Sequence, residues 1–227
     1  MEKSAKGSHE LRGKKLGIVG YGHIGSQLSI LAEAMGLKVQ FYDIVKKLPL
    51  GNAQALGSME KLLADSDFVS FHVPETDVTK GMVGAKELAQ MKDGAYLINA
   101  SRGTVVQIPA LVEALKTKKL SGAAIDVFPK EPSSNKEKFE SELCGLENVI
   151  LTPHIGGSTE EAQEAIGLEV AESMIRYLQK GASLGAVNFP CLDTPRVVDQ
   201  NVIRITNVHK NVPGVLSDIN HIATDVG

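Results

Sequence analysis

The apolar run KLGIV at residues 15–19 ends directly on GYGHIG at 20–25, and a helix-forming stretch follows without a break. This junction constrains the fold more than any other part of the 227-residue chain. Glycines at three of six positions between a strand and a helix leave main chain bare where the chain turns, and each missing side chain has its own geometric use. Gly20 permits the tight turn, Gly22 leaves room for a pyrophosphate to approach, and Gly25 lets the helix lie close to the sheet. The helix start offers unpaired N–H groups and partial positive charge, which favour a phosphate. A second apolar run ends at Asp43, 18 residues beyond Gly25. A carboxylate there accepts from both hydroxyls of an adenosine ribose and repels a 2′-phosphate, so the pattern predicts NAD rather than NADP. Lys46 and Lys47 lie nearby and pull the other way.

The same alternation continues through the first two thirds of the chain. Apolar runs predict strands at 15–19, 39–42, 68–73, 95–99, 123–127 and 149–151, and amphipathic stretches predict helices at 23–35, 59–64, 85–91 and 109–118. Strands nearly continuous in Val, Ile and Leu, each followed by a helix, predict an α/β fold with a doubly wound parallel sheet covered on both faces. A longer helix begins near Ser158, with Ser158 and Glu161 as a capping box, Ala162, Ile166, Val170 and Ile175 near helical spacing, and Gly181 as its stop. Residues 185–200 carry Pro190 and Pro195 among polar residues and read as a linker. The remaining residues predict one alternating strand, a turn at 211–214 and an amphipathic helix on Val215, Leu216, Ile219 and Ile222. One strand and one helix cannot bury an apolar face alone, so this piece reads as the beginning of a further domain.

Composition removes several classes of partner. Apolar residues at 43% can fill a core, and a formal net charge of −3 provides no basic stripe for nucleic acid or an anionic membrane. Cys144 and Cys191 are far apart with no CxxC, which predicts reduced thiols and neither a metal site nor a disulfide framework. The N-terminal residues are polar, and no stretch has the about 18 apolar residues of a membrane span. The expected location is the cytoplasm.

Three segments directly after predicted strands carry the chemistry: INASRGTVV at 98–106, IDVFPKEP at 125–132 and ILTPHIGGST at 150–159. Ligands collect at the carboxyl ends of strands in such sheets. Arg102 can grip a carboxylate with two parallel hydrogen bonds and, beside a nicotinamide, would hold an α-hydroxy acid with C2 facing the ring. Oxidising an alcohol to a ketone releases a proton with the hydride, and His154 is the natural carrier because imidazole titrates near working pH. Glu131, bonded to the other ring nitrogen, would set the tautomer and stabilise the imidazolium. Asp126 suits the nicotinamide amide, and Gly156 and Gly157 leave space beside the ring. Taken singly, a surface arginine, a loop glutamate and a core histidine are ordinary; joint placement after successive strands distinguishes them. His9, His72, His209 and His221 have no comparable setting, whereas His23 lies inside the glycine loop.

GYGHIGSQL, NASRGTVV, GAAIDVFPKEP and LTPHIGGSTEEAQ together resemble the D-2-hydroxyacid dehydrogenases, and HIGGSTEEAQ with AVNFP resembles the branch acting on D-3-phosphoglycerate; the likeness runs over residues 11–227. It implies a Rossmann NAD-binding domain at 10–156, the end of a substrate domain and linker at 157–198, and part of an ACT regulatory domain at 199–227. It implies NAD-dependent oxidation of 3-phosphoglycerate to 3-phosphohydroxypyruvate, the first step of phosphorylated serine synthesis. Arg102 would bind the substrate carboxylate, and Glu131 with His154 would form the proton-transfer pair. The family's NAD contacts carry over to His23, Ile24, Asp43, Ala100, Ser101, Asp126, His154, Ile155, Gly156 and Gly157, with Arg102 beside the nicotinamide. His209 and Asn211 match positions that contact an L-serine effector, Gly214 matches the module's turn, and a homo-oligomer is implied. Gln107 departs from the aspartate usual after GTVV. Most of the substrate domain would precede Leu11, so the chain is expected to be truncated at both ends and to bind NAD without a complete substrate pocket. Two rival readings are another D-2-hydroxy acid, such as lactate or glycerate, and a non-catalytic NAD-sensing scaffold.

Overall fold

A computed structural model of the chain describes residues 8–134, 136–195 and 204–226. It divides into two units, Met1–Ser158 and Thr159–Gly227. The first is built on strands β1 (Lys15–Val19), β2 (Lys38–Tyr42), β3 (Gln54–Ala55), β4 (Phe68–Phe71), β5 (Ala95–Asn99), β6 (Leu120–Ile125) and β7 (Val149–Leu151). Interleaved with them are helices α1 (His23–Ala34), α2 (Met59–Asp65), α3 (Ala85–Gln90) and α4 (Ile108–Lys116). The strands form one seven-stranded parallel sheet in the order β3-β2-β1-β4-β5-β6-β7. The order reverses between β1 and β4, which opens a crevice at their carboxyl ends.

Parallel strands bury side chains on both faces, and two apolar clusters result. Leu16, Ile18, Val39 and Phe41 pack with Ala32 of α1 on one side. On the other, Val69, Phe71, Leu97 and Ile125 pack with Leu62 of α2, Leu88 of α3 and Leu111 and Leu115 of α4. Each fully buried side chain of this size contributes about 1.5–3 kcal/mol. Gly17 makes one of these approaches possible, since a Cβ there would press into Leu62 and Ser66 of the α2 layer. The expected cover is incomplete: Tyr96, Ile98, Ala124 and Ile150 share one face across β5, β6 and β7, and all remain partly or largely exposed. α1 packs chiefly on β1 and β2 and leaves the β5–β7 half of that face uncovered.

The second unit contains α5 (Glu160–Lys180) and α6 (Val215–Val226). α5 ends at Gly181 in the left-handed conformation, φ +65°. Its start differs from the predicted capping box. The cap is Thr159, whose hydroxyl accepts from Ala162 N, while Ser158 donates to the His154 carbonyl at 3.4 Å. The linker is tied down at its near end: Ser183 N–H donates to Leu192 O, and Thr194 donates to the Lys180 carbonyl. Linker residues 196–200 lie outside the described residues. The strand expected ahead of α6 is not formed over residues 204–210, and its opening residues lie outside the described ones. A lone strand has no ladder to satisfy its peptide groups, so alternation alone cannot hold it extended. β3 went unpredicted because two residues carry no periodicity. Among the described residues, no helix is long and apolar enough to cross a membrane.

Candidate active site

At the crevice, Gly20 adopts φ +93°, and a Cβ there would collide with the carbonyl of His72 on the neighbouring strand end. A Cβ on Gly25 would strike the Gly20 carbonyl, so α1 starts as close to the loop as main chain allows. A Cβ on Gly22 would meet nothing within 4 Å. The tight turn at Gly20 and the close helix approach at Gly25 are as expected, and Gly22 leaves open space beside the helix start. Gly22 caps α1 without a side-chain hydrogen bond, and the first turn holds no acidic residue. The partial positive end of α1 is thus neither capped nor neutralised from within its own turn, and Ile24 beside it is 66% exposed.

Asp43 stands just past β2, where Tyr21 N–H donates to one carboxylate oxygen at 2.8 Å and Val45 N–H to the other at 2.8 Å. Each oxygen keeps a lone pair for a hydroxyl ligand. A bare phosphate-sized space, an unneutralised helix start and an oriented carboxylate fit a dinucleotide.

The segment after β5 is shaped by Asn99, whose residue type and spacing carry no signal of this role. Its buried amide accepts from Ser101 N at 3.1 Å and Ser101 Oγ at 2.8 Å, and donates to Arg102 O at 3.0 Å. These bonds close Ala100–Ser101–Arg102 into a rigid turn that leaves Ala100 and Arg102 exposed. Gly103 then passes so near the next segment that a Cβ would overlap the Phe128 carbonyl and Pro129 N. The arginine turn and the turn bearing Glu131 are therefore in main-chain contact. Thr104 braces the outer side, donating to Glu75 at 2.6 Å. Gln107 is the N-cap residue of α4, but its side chain makes no capping bond; its amide donates to Gly81 O at 2.8 Å, pinning the 81–84 turn instead.

Glu131 and His154 meet as predicted. Their Oε2 and Nδ1 lie 2.8 Å apart, and the second oxygen of Glu131 accepts from Phe128 N at 2.9 Å. Desolvation would raise this carboxyl, but its hydrogen bonds to the His154 ring and the Phe128 N–H outweigh that and hold it below its ordinary value of 4.5. An ionised carboxylate only accepts, so Nδ1 carries a proton, and in the neutral ring the free lone pair is on Nε2. His154 has φ +55°, a sparsely populated conformation for a residue with a side chain. Asp126 secures this corner, accepting from Thr152 Oγ1 at 2.6 Å and from Ile155 N at 3.4 Å. Ile155, Gly156 and Gly157 follow in an exposed turn, with Asp126 3.9 Å from where a Gly156 Cβ would be. Behind the pair, a cavity of about 410 Å³ is lined by Phe128, Phe139, Leu151 and Pro153 together with Glu131 and His154. His209 and Asn211 belong to the second unit, both exposed in the irregular segment before α6.

His72 adds a titrating group at the crevice. Its Nε2 pairs with Ser70 Oγ at 2.8 Å, and its Nδ1 is buried without a hydrogen-bond partner among the described residues. Burial lowers its pKa from the ordinary 6.5. The unfolded chain then binds more protons than the folded one just below 6.5, so stability declines as pH is lowered from there until the folded value is passed. The contribution of Glu131 is present above 4.5 and is lost as pH falls through its lowered folded value. Thermal midpoints measured between about pH 7.5 and 5 are expected to fall for the wild type and to be flatter for His72→Asn, which keeps a partner for Ser70 without titrating. Parallel curves for the two proteins would remove His72 as the cause.

Comparison with known proteins agrees with this geometry. The family model described as D-isomer specific 2-hydroxyacid dehydrogenase, NAD binding domain, matches residues 1–156. D-3-phosphoglycerate dehydrogenase of Escherichia coli K12 is 58% identical over 225 residues, which is 99% of this chain and 54% of that protein. The enzyme of the same name from Dictyostelium discoideum is 56% identical over 223 residues, 98% of this chain and 54% of that protein. The chain thus spans about half the length of the curated relatives it matches. Among solved structures, the NAD-complexed D-isomer specific 2-hydroxyacid dehydrogenase of Lactobacillus delbrueckii ssp. bulgaricus superposes with a TM-score of 0.69 at 29% identity, covering 78% of this chain and 57% of the other. With a family model matched across its parallel-sheet unit and the glycine loop, acid and histidine of that unit in place, this chain belongs to the D-isomer specific 2-hydroxyacid dehydrogenase family, and the unit is that family's NAD-binding domain.

Proposed function

We propose that the chain carries the coenzyme-binding and proton-transfer machinery of an enzyme that oxidises D-3-phosphoglycerate to 3-phosphohydroxypyruvate. The observation that carries this reading is the 2.8 Å contact between Nδ1 of His154 and an ionised Glu131. NAD, when bound, supplies the hydride acceptor. Arg102 donates to the substrate carboxylate and orients C2; one of its N–H groups is already spent on Ser101 O at 2.6 Å, which fixes the direction of the guanidinium. Nε2 of His154 takes the C2 hydroxyl proton, and the imidazolium so formed is stabilised by Glu131. In the reverse reduction the same imidazolium returns the proton.

The phosphoglycerate assignment rests on the relatives' names and on the residues shared with that branch. We assign residues 10–156 to the NAD-binding domain, 157–198 to the end of the substrate domain and the linker, and 199–227 to part of an ACT domain. L-Serine as effector at His209 and Asn211, a homo-oligomer and a cytoplasmic location belong to the same proposal. Cys144 and Cys191, free and exposed, suit a reducing compartment.

Fluorescence titration with NADH, followed by NADH formation from NAD with 3-phosphoglycerate, D-lactate or D-glycerate, tests the assignment. NADH binding is expected of the chain itself, and turnover of 3-phosphoglycerate alone is expected once the complete substrate domain is supplied. Turnover of D-lactate or D-glycerate in its place would move the substrate, and binding with no turnover of any of them by a protein with the complete substrate domain would favour the scaffold.

A further inference from the structure

Tyr21 occupies the second position of GYGHIG, between the glycines that approach the phosphates, yet it is 3% exposed and faces away from them into the core. Its ring stacks on Phe41 of β2, centroids 3.7 Å apart and planes 14° from parallel. Its hydroxyl lies 2.7 Å from Ser29 Oγ and accepts from Leu50 N at 3.2 Å. The direction of the chain of bonds follows from counting protons. Ser29 spends its one proton on Ser26 O at 2.7 Å, so Tyr21 must donate to Ser29 while accepting from Leu50. A continuous relay then runs from the loop after β2, through Tyr21, into the second turn of α1. At the other end of the same residue, the main-chain N–H of Tyr21 donates to Asp43.

The loop at 44–52 has no regular structure of its own, and Ile44 and Leu48 in it are 88% and 86% exposed. Leu50 N–H goes to Tyr21, and Asn52 N–H goes to the Glu33 carboxylate at 2.9 Å. The far end is held further by the Asn52 side chain, which accepts from Val39 N at 3.2 Å and donates to Leu37 O at 3.0 Å, so Tyr21 supplies the side-chain anchor nearest Asp43. Asp43 stands at the start of this loop, and one of its oxygens is held by Val45 N within it.

We propose that Tyr21 is a positioning residue for the adenosine half of the dinucleotide: its N–H aims the Asp43 carboxylate while its hydroxyl anchors the loop that continues from it. The glycine motif then organises both the phosphate loop and the ribose loop through one buried side chain. The proposal rests on the reading that Asp43 receives the adenosine ribose.

The test is Tyr21→Phe, which keeps ring and stacking and deletes only the hydroxyl. NADH and ADP-ribose are expected to bind more weakly by the same factor, about three- to tenfold, the size of one lost hydrogen bond. Amide hydrogen exchange at Leu50 should accelerate while amides of β1 and α1 keep their protection. Ser29→Ala, which removes the acceptor of the Tyr21 proton, should shift both affinities in the same direction by less, and it decides the matter if Tyr21→Phe does not fold. A purely structural role would lower the thermal midpoint and leave both affinities unchanged well below it; that result overturns the proposal. Wild-type protein that binds neither NADH nor ADP-ribose would overturn the coenzyme site itself, and this proposal with it.

Discussion

Gly22→Leu is expected to abolish NADH binding, with at least about a hundredfold loss of affinity, while the protein stays folded. Both halves of this expectation come from the same main chain. Gly22 has φ −83°, a region open to any L-residue, and a Cβ there would have no heavy atom within 4 Å. A side chain therefore costs the fold little. It occupies instead the space over the N-terminus of α1 that a pyrophosphate needs to reach the free N–H groups. Gly25 is the internal contrast, because a side chain there would drive into the Gly20 carbonyl and unseat the helix. Thermal melts and NADH fluorescence titrations on both variants separate the outcomes. Gly22→Leu protein that binds NADH within a few-fold of wild type would place the dinucleotide elsewhere.

His154→Asn should lower turnover of the preferred hydroxy acid by about 10²–10⁴-fold, the usual worth of a positioned general base, with NADH affinity nearly unchanged. Asparagine is the informative replacement because it tolerates a left-handed backbone better than most residues, and His154 sits at φ +55°. The loss then reports on the imidazole rather than on a collapsed turn. With Nδ1 of the neutral ring donating to Glu131, the lone pair that faces the substrate is on Nε2, so removing the ring removes that acceptor. Steady-state kinetics beside an NADH titration give the answer. Unaltered turnover would mean that another group carries the proton.

Much of the first unit is legible in its residues because a buried parallel strand must be apolar nearly throughout, and that need is local. β1, β5 and β7 fall where their apolar runs lie, and the other predicted strands differ mainly at their ends. The glycine loop is legible for the same reason, since the absence of side chains is written directly in the chain. The cap of α5 is Thr159 rather than the predicted Ser158. Both hydroxyls can cap a helix, and the choice falls to Thr159, whose extended backbone aims its oxygen at Ala162 N. Nothing in the local pattern distinguishes adjacent serine and threonine.

The site shows the same division. Arg102, Glu131 and His154 are recognisable from residue type and from their place after strands. Asn99, Gly103 and Thr152, which hold them, are not. Asn99 is significant only because its amide is buried beneath the turn it closes, and Gly103 only because residues 128 and 129 pass against it. Thr152 matters because β6 and β7 are neighbours, which brings its hydroxyl to Asp126. Short stretches of chain alone determined the alternating parallel architecture, the bare glycine loop and the candidate groups Arg102, Glu131 and His154, because each is written in local residue type and spacing. Tertiary structure alone decided the tautomer of His154, the anchoring of Asp43 and the closure of the arginine turn. Those depend on hydrogen bonds and close approaches between main chain and side chains that only the finished packing brings within about 3 Å.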